Sequence, residues 1–182
     1  MVISGSRNAS GQTAQAIDAV VEGLRAAGAE VETAFLPWQN IERCRQCDDA
    51  GWGICRTEGK CFIEDDFPSL VAKLADCDAA VFATPVYFSD LSESLKAFLD
   101  RLRRTCMHES GKAKVAGKCA AGVCVAGGGG GGAPACTVHL ERVLRTCGFD
   151  VVDLVPLRRQ NLDAKTDSLR ALGTWLADRP SS

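Results

Sequence analysis

Three short segments of the sequence hold the residue types of a ligand site, and each follows an apolar run. The first, residues 5–13, contains two glycines and the hydroxyl side chains of Ser6, Ser10 and Thr13, and it leads into an amphipathic stretch. A loop at a helix N-terminus offers unpaired backbone N–H groups and the positive end of the helix dipole, which together favour an anion. We predict that this loop binds a phosphate group.

The residues that this loop lacks narrow the choice of phosphate ligand. It has no Gly-Lys-Ser/Thr ending, so the lysine and the magnesium-binding hydroxyl of phosphoryl transfer are missing. It also lacks the Gly-x-Gly-x-x-Gly pattern with which a turn approaches a pyrophosphate. A single terminal phosphate, bound without being transferred, fits the loop best. The simpler alternative is an ordinary turn that caps a helix.

Two further segments supply an aromatic surface and a bare backbone. Residues 84–90 read Thr-Pro-Val-Tyr-Phe-Ser-Asp, and residues 127–132 are six consecutive glycines. Tyr87 and Phe88 are candidates for stacking on a flat ring, and glycines allow a ligand to approach the main chain closely. A flat aromatic ring system with a phosphate tail would use all three segments, and FMN is such a molecule. The glycine run also matches the dinucleotide pattern, but any six consecutive glycines do so.

A fourth group of residues has the chemistry of a metal site. Four of the ten cysteines, Cys44, Cys47, Cys55 and Cys61, lie within residues 37–66, where no helical or strand period persists. Thiolates ligate iron–sulfur clusters and structural zinc. This segment therefore leaves three alternatives open: an iron–sulfur cluster, a zinc ion, or free thiols in a lid near the flavin.

The remaining cysteines and a basic cluster carry blander predictions. We expect the other six cysteines to be small core or surface residues. They are Cys77, Cys106, Cys119, Cys124, Cys136 and Cys147. The arginines Arg101, Arg103 and Arg104 could attract the phosphate of a nicotinamide cofactor, but we predict that they form a solvated helix face.

The predicted secondary structure brings the three ligand segments together. Apolar or alternating runs at residues 2–3, 30–36, 79–83, 118–125 and 151–155 predict five strands, and stretches with helical spacing alternate with them. This alternation predicts an α/β fold with a doubly wound, five-stranded parallel sheet in a three-layer α/β/α arrangement. In such a sheet the loops after strands one, three and four can meet at the carboxyl edge.

Composition limits the partners and the location. The 182 residues predict a single domain over 1–182, and the 46% hydrophobic content supplies a packed core. A net charge of -2 gives no basic surface for nucleic acid, and the sequence shows neither a membrane span nor a secretory leader. We expect a cytoplasmic protein without nucleic-acid or membrane partners.

The ordered set of motifs resembles the NAD(P)H-dependent FMN reductase family of flavodoxin-like proteins. The resemblance lies in Gly5-Ser6 followed by Gly11-x-Thr13, in Thr84-Pro85-Val86-Tyr87-Phe88, and in Leu95-Lys96-Ala97-Phe98-Leu99-Asp100-Arg101. It implies a flavodoxin-like FMN-binding domain in which residues 37–66 are an insertion loop. By this resemblance the FMN phosphate is held by Ser6, Arg7, Ser10, Gly11, Gln12 and Thr13. The isoalloxazine ring is lined by Pro85, Val86, Tyr87 and Phe88, and Gly127, Gly128 and Gly129 contact its other edge.

The resemblance also implies a reaction and an assembly. The activity would be hydride transfer from NADH or NADPH to FMN, followed by electron transfer to a second acceptor such as a flavin, a quinone or a protein. The flavin carries the chemistry, so no catalytic side chain is expected. A homodimer or homotetramer is expected because family members complete the binding face with another subunit.

The cysteine segment resembles the iron–sulfur flavoprotein branch of that family, with one departure. In that branch the ligands occur as Cys-x2-Cys-x2-Cys with a fourth cysteine a few residues on. Here Cys44 and Cys47 keep the first spacing, but seven residues separate Cys47 from Cys55 and five separate Cys55 from Cys61. This branch implies a 4Fe-4S cluster on the four cysteines. It also implies an alternative function, an electron carrier between protein partners, and a flavin- or metal-binding regulator is a third.

Overall fold

The computed structural model describes residues 1–179 of the chain. Within that range, one parallel sheet has the strand order β2-β1-β3-β4-β5. The strands are β1 (Val2–Ser4), β2 (Thr33–Phe35), β3 (Ala79–Pro85), β4 (Cys119–Ala126) and β5 (Asp150–Arg158). This order is the flavodoxin type of doubly wound sheet, so the predicted fold class is confirmed.

Helices connect the strands and cover both faces of the sheet. They are α1 (Gln12–Ala26), α2 (Ile54–Thr57), α3 (Phe67–Asp76), α4 (Glu93–Thr105), α5 (Glu109–Lys112), α6 (Ala133–Cys147) and α7 (Leu162–Ala177). Two short 3-10 turns, Leu36–Trp38 and Arg159–Asn161, complete the regular structure of the described residues.

Two hydrophobic cores lie on opposite faces of the sheet. Alternate residues of each strand point to opposite faces, so Phe82 packs with α3, α4 and α6, whereas its neighbour Val81 packs with α1 and α7. The predicted three-layer arrangement is therefore confirmed. Five of the six cysteines outside residues 37–66 are buried, and Cys77 is half-buried, which agrees with their predicted role.

The two edge strands differ from their predicted lengths. The second strand, predicted over residues 30–36, pairs only at Thr33–Phe35, because its neighbour β1 offers three residues for pairing. The fifth strand, predicted over 151–155, continues to Arg158 alongside the long β4. In both cases the length of the neighbouring strand determines how many residues of the edge strand are paired.

The segment before α3 is held by two aspartates. Proline stands in the first turn of α3, as predicted, and Asp66 occupies the N-cap position. The Asp66 carboxylate accepts from the Asn40 N–H instead of capping the helix, whereas Asp65 Oδ1 accepts from the Phe67 N–H at 3.1 Å.

No helix within residues 1–179 is long and apolar enough to cross a membrane.

Candidate functional site

The loop after β1 is folded around Asn8. The Asn8 carboxamide oxygen accepts from both the backbone N–H and the hydroxyl of Ser10 at 3.0 Å. The Asn8 carbonyl accepts from the Ser6 hydroxyl at 3.3 Å and from the Gly11 N–H at 3.4 Å. These bonds curl the loop back to the start of α1, as Asx turns do.

The N-terminus of α1 is left open by this loop. Gly11 is the N-cap residue, and no side chain of the described residues caps the helix there. Uncapped N–H groups and the helix dipole favour an anion at this point. Ser6 and Thr13 are buried on either side of it, whereas Arg7 and Ser10 are exposed. The arrangement suits a phosphate group.

The loop after β3 is a tight turn in which two residues other than glycine have the left-handed conformation. Tyr87 and Asp90 pair through reciprocal backbone hydrogen bonds of 2.9 and 3.1 Å. Between them, Phe88 and Ser89 have φ angles of 49° and 66°. Such conformations cost free energy in residues with a side chain and persist where surrounding contacts impose them. The turn leaves Tyr87 half exposed and Phe88 fully exposed.

A buried hydroxyl pair fixes the start of α4 beside this turn. Thr84 Oγ1 accepts from the Ser92 N–H at 3.0 Å, and Ser92 caps α4. Residue 5 must be glycine here, because a Cβ on Gly5 would lie 2.2 Å from Ser92 Oγ. The β1 loop is thereby packed against the start of α4, the helix that follows the β3 turn.

The glycine run after β4 packs closely against the same turn. Gly132 has a φ of 84°, and a Cβ added to it would lie 2.6 Å from Ser89 Oγ. From the other side, Gln160 Nε2 donates to the Gly128 carbonyl at 3.1 Å. The absence of side chains lets this run lie between the β3 turn and the end of β5.

The three loops line one open cavity of about 570 Å³ at the carboxyl edge of the sheet. Of the predicted site residues, Ser6, Gly11, Gln12, Thr13, Pro85, Val86, Tyr87, Gly127 and Gly128 line it. Among the described residues, the lining does not include the predicted Arg7, Ser10, Phe88 and Gly129. The lining also includes Asn8 and Gly131, which lie in two of the predicted segments but were not named as contacts, and Val125 and Ala126, which we did not predict. The Asn-x-Ser spacing of the turn was a usable signal for Asn8.

The cavity suits FMN in size and in chemistry. Its volume falls within the range of small-molecule sites. One end carries an uncapped helix N-terminus and two hydroxyls, and the other carries Tyr87 beside exposed glycine backbone. A phosphate would bind at the first end and a flat ring at the second.

A second pocket brings together the four clustered cysteines. Cys44, Cys47, Cys55 and Cys61 all line it, although they come from separate turns of residues 37–66 and from α2. Cys55 is buried and Cys47 is exposed. Burial raises the pKa of the Cys47 thiol, and the nearby thiols of Cys44, Cys61 and Cys55 raise it further.

Two arginines of α4 donate to sulfur atoms of this pocket. Arg101 Nη2 lies 3.4 Å from Cys61 Sγ, and Arg104 Nε lies 3.1 Å from Cys44 Sγ. Our prediction of a solvated arginine face is wrong for these two, because Arg101 is 1% exposed and Arg104 is half-buried. The pattern misled because three arginines in four residues suggest a wet surface, whereas the insertion loop folds over that side of α4.

The donor set suits a group with several sulfur ligands better than one ion. Across residues 1–179, no three His, Cys, Asp or Glu side chains are placed as ligands of a single metal ion. A tetrahedral zinc site needs four ligands about 2.3 Å from the metal. The pocket offers four cysteine thiols, two guanidinium donors and a buried Arg101 Nε that has no partner among the described residues. Cysteine thiolates are the ligands of iron–sulfur clusters, so the residue types present would suit such a group.

The chain is similar to several known proteins. The family model for NADPH-dependent FMN reductase matches residues 1–158. The iron–sulfur flavoprotein MJ1083 of Methanocaldococcus jannaschii is 31% identical over 126 residues, which are 69% of this chain and 63% of that protein. A putative NAD(P)H-dependent FMN-containing oxidoreductase, YwqN of Bacillus subtilis, is 30% identical over 107 residues, or 57% of this chain and 51% of YwqN.

A solved structure with the same fold is the two-electron reduced flavodoxin of Megasphaera elsdenii. It has a TM-score of 0.63 at 16% identity, over 98% of this chain and 100% of the flavodoxin. The chain spans 43 to 63% of the lengths of three iron–sulfur flavoproteins that it matches. The family model covers far more than half of the chain, and the chain belongs to the NADPH-dependent FMN reductase family.

Proposed function

We propose that this protein is an FMN-dependent oxidoreductase that takes hydride from NADH or NADPH and passes electrons to a second acceptor. The observation that carries the proposal is the single cavity lined by the β1 loop, the β3 turn and the glycine run. Family membership supports both FMN and a nicotinamide donor. The acceptor is a flavin, a quinone or a protein.

Each part of the cavity has a role in this function. Ser6, Thr13 and the first N–H groups of α1 would hold the phosphate of FMN. Tyr87, Val86 and Pro85 would line its ring, with the backbone of Gly127 and Gly128 at the other edge. Bound FMN supplies hydride acceptance and stepwise electron release. The protein's contribution is to bind and orient the cofactor.

Exposure of Tyr87 leaves room for a second flat molecule. Half of its surface is accessible, and the fully exposed Phe88 follows it in the turn. We propose that the nicotinamide ring approaches the flavin from this side.

The chain forms a single FMN-binding domain that assembles as a homodimer or homotetramer. The exposed aromatic turn is a suitable surface for contact with another subunit.

Rapid anaerobic mixing tests the proposal. The FMN-loaded protein is mixed with NADPH, and separately with NADH, while flavin absorbance is followed. We expect prompt bleaching with at least one donor, then recovery of absorbance when a quinone or free flavin is added. A protein that binds FMN but is reduced only by a protein donor would contradict the reductase function.

The cysteine pocket favours a second candidate, an iron–sulfur flavoprotein that shuttles electrons between protein partners. Four thiols and two arginine donors in one pocket carry this candidate, and several relatives bear that name. Iron and acid-labile sulfide should be present in anaerobically purified protein. Cys47→Ala should lower the content of both, and Cys77→Ala, outside the pocket, is the matched control. Full iron and sulfide content in Cys47→Ala would exclude Cys47 as a ligand, and wild-type protein without iron and sulfide would exclude the cluster.

A further inference from the structure

We propose that Arg104, with Arg101 beside it, is a positioning residue that stabilises negative charge on the sulfur atoms of the cysteine pocket and raises the reduction potential of the cluster held there. This inference rests on the iron–sulfur function proposed above. It assigns a specific task to two side chains of the helix that follows the flavin-binding turn.

Helix geometry places both side chains on the pocket. Residues three apart lie on one face of an α-helix, so Arg101 and Arg104 project to the same side of α4. Each donates to a different cysteine, Arg101 to Cys61 and Arg104 to Cys44. The two guanidinium groups therefore contact two different sulfur atoms of one pocket.

The charge of Arg104 has no acidic counterpart. Among residues 1–179, no carboxylate forms a salt bridge with it; its partners are Cys44 Sγ, the Gly51 carbonyl and the ring of Trp52, 4.4 Å from its Cζ. The next arginine along the helix, Arg103, is paired with Asp100 at 3.0 Å. Negative charge on the sulfur atom that it contacts would stabilise this half-buried cation, which has no carboxylate partner there.

Arg101 is held rigidly beside this cation. Its guanidinium forms two hydrogen bonds with Asp65, one with the Glu42 carbonyl, and packs 4.2 Å from the centroid of the Phe67 ring. Its Nε remains buried without a partner within the described part of the chain. An unsatisfied buried donor is costly, so a further acceptor in this pocket would stabilise it.

The expected effect follows from charge. Reduction adds one electron to a sulfur-ligated cluster, with no bond formed or broken, and its negative charge grows by one unit. Hydrogen bonds to the sulfur atoms favour the more negative state and are among the factors that set cluster potentials. Removing the Arg104 donor should therefore make reduction less favourable by at least about tenfold, which is 59 mV for a one-electron couple.

A redox titration of the full-length, anaerobically purified holoprotein tests this. Dithionite is the reductant, and the reduced cluster is detected by electron paramagnetic resonance in wild type, Arg104→Gln, Arg104→Lys and Arg103→Gln. Iron, sulfide and FMN are assayed in every sample. We expect a lower potential in Arg104→Gln, partial recovery in Arg104→Lys because the charge is kept, and no change in Arg103→Gln.

Each outcome decides a different point. Unchanged potential in Arg104→Gln with full iron content would overturn this inference and leave the iron–sulfur function standing. Wild-type protein without iron and sulfide would remove that function and this inference together. Arg104→Gln could also fold and bind FMN but lose iron while Arg103→Gln keeps it. That result would support the inference, because it would show that Arg104 stabilises the cluster specifically. Equal loss of iron in both variants would contradict a specific task for Arg104.

Discussion

Arg101 and Asp65 form a two-bonded ion pair whose side chains are 1% and 0% exposed. Asp65 also accepts from the backbone N–H groups of Glu42 and Phe67, so one carboxylate joins both ends of the cysteine segment to α4. The pair closes the insertion loop onto the domain. This closure holds the segment that carries the four pocket cysteines against α4.

Asp65→Asn should strongly destabilise the protein at neutral pH. Removing one partner of a buried ion pair leaves the other charge unneutralised, at a cost of about 3–5 kcal/mol. Urea denaturation at pH 7 measures the change in the free energy of unfolding. The control is Asp100→Asn, which breaks the partly exposed pair with Arg103 and should cost about 0–1 kcal/mol. Equal losses in the two variants would contradict the importance of burial.

The stabilising effect of Asp65 should disappear in acid. Burial raises the pKa of Asp65, but hydrogen bonds from Arg101 and two backbone N–H groups, with the Arg101 charge, outweigh it and leave the pKa below its usual value. A carboxyl with a lowered folded-state pKa stabilises fully above its unfolded pKa of about 3.9. That stabilisation is lost as the pH falls through the folded-state pKa. The stability difference between wild type and Asp65→Asn, measured by urea from pH 7 to pH 3, should narrow only below about pH 4.

The sheet and the three loops at its carboxyl edge were predictable because local signals determine them. Continuous apolar strands such as residues 79–83 and the N-terminal features of α1 are local patterns, and the parallel topology then brings the loops together. The orientation of Arg101 was not predictable, because its partner Asp65 is 36 residues away and belongs to a segment without a period. The exposure of Phe88 was not predictable either. It depends on a turn in which Phe88 and Ser89 both have the left-handed conformation, which Phe and Ser rarely adopt.

Thr13→Glu should weaken FMN binding. Thr13 is buried at the open N-terminus of α1, where a carboxylate would repel the phosphate and neutralise the helix dipole. We expect at least about a tenfold rise in the FMN dissociation constant, or 1.4 kcal/mol. Titration by flavin fluorescence quenching measures it. The control is Thr13→Gln, because Gln has nearly the same shape as Glu but no charge. The difference between the two variants therefore measures charge repulsion of the phosphate, apart from steric crowding. The phosphate assignment fails if the two variants bind FMN equally well.

Two substitutions within the glycine run should differ in their effect. A Cβ at Gly132 would meet Ser89 Oγ at 2.6 Å in a left-handed conformation, whereas a Cβ at Gly129 would meet nothing within 4 Å. Gly132→Ala should therefore cost about 1–3 kcal/mol of stability through strain and overpacking, and should displace the β3 turn. Gly129→Ala should leave the melting temperature and FMN affinity unchanged. Thermal unfolding with and without FMN compares them, and a tolerant Gly132→Ala would show that the turn adapts.

The two aromatic residues of the β3 turn should contribute unequally to flavin binding. Tyr87 lines the cavity, whereas Phe88 lies fully exposed outside its lining in the described structure. Tyr87→Ala should raise the FMN dissociation constant about tenfold, because a stacking aromatic surface is removed, worth roughly 1–1.5 kcal/mol. Phe88→Ala should leave that constant within about twofold and instead alter the oligomeric state, measured by analytical ultracentrifugation, since an exposed apolar tip favours contact with another surface. A larger loss of FMN affinity in Phe88→Ala than in Tyr87→Ala would show that the turn closes over the bound flavin and carries Phe88 onto the ring.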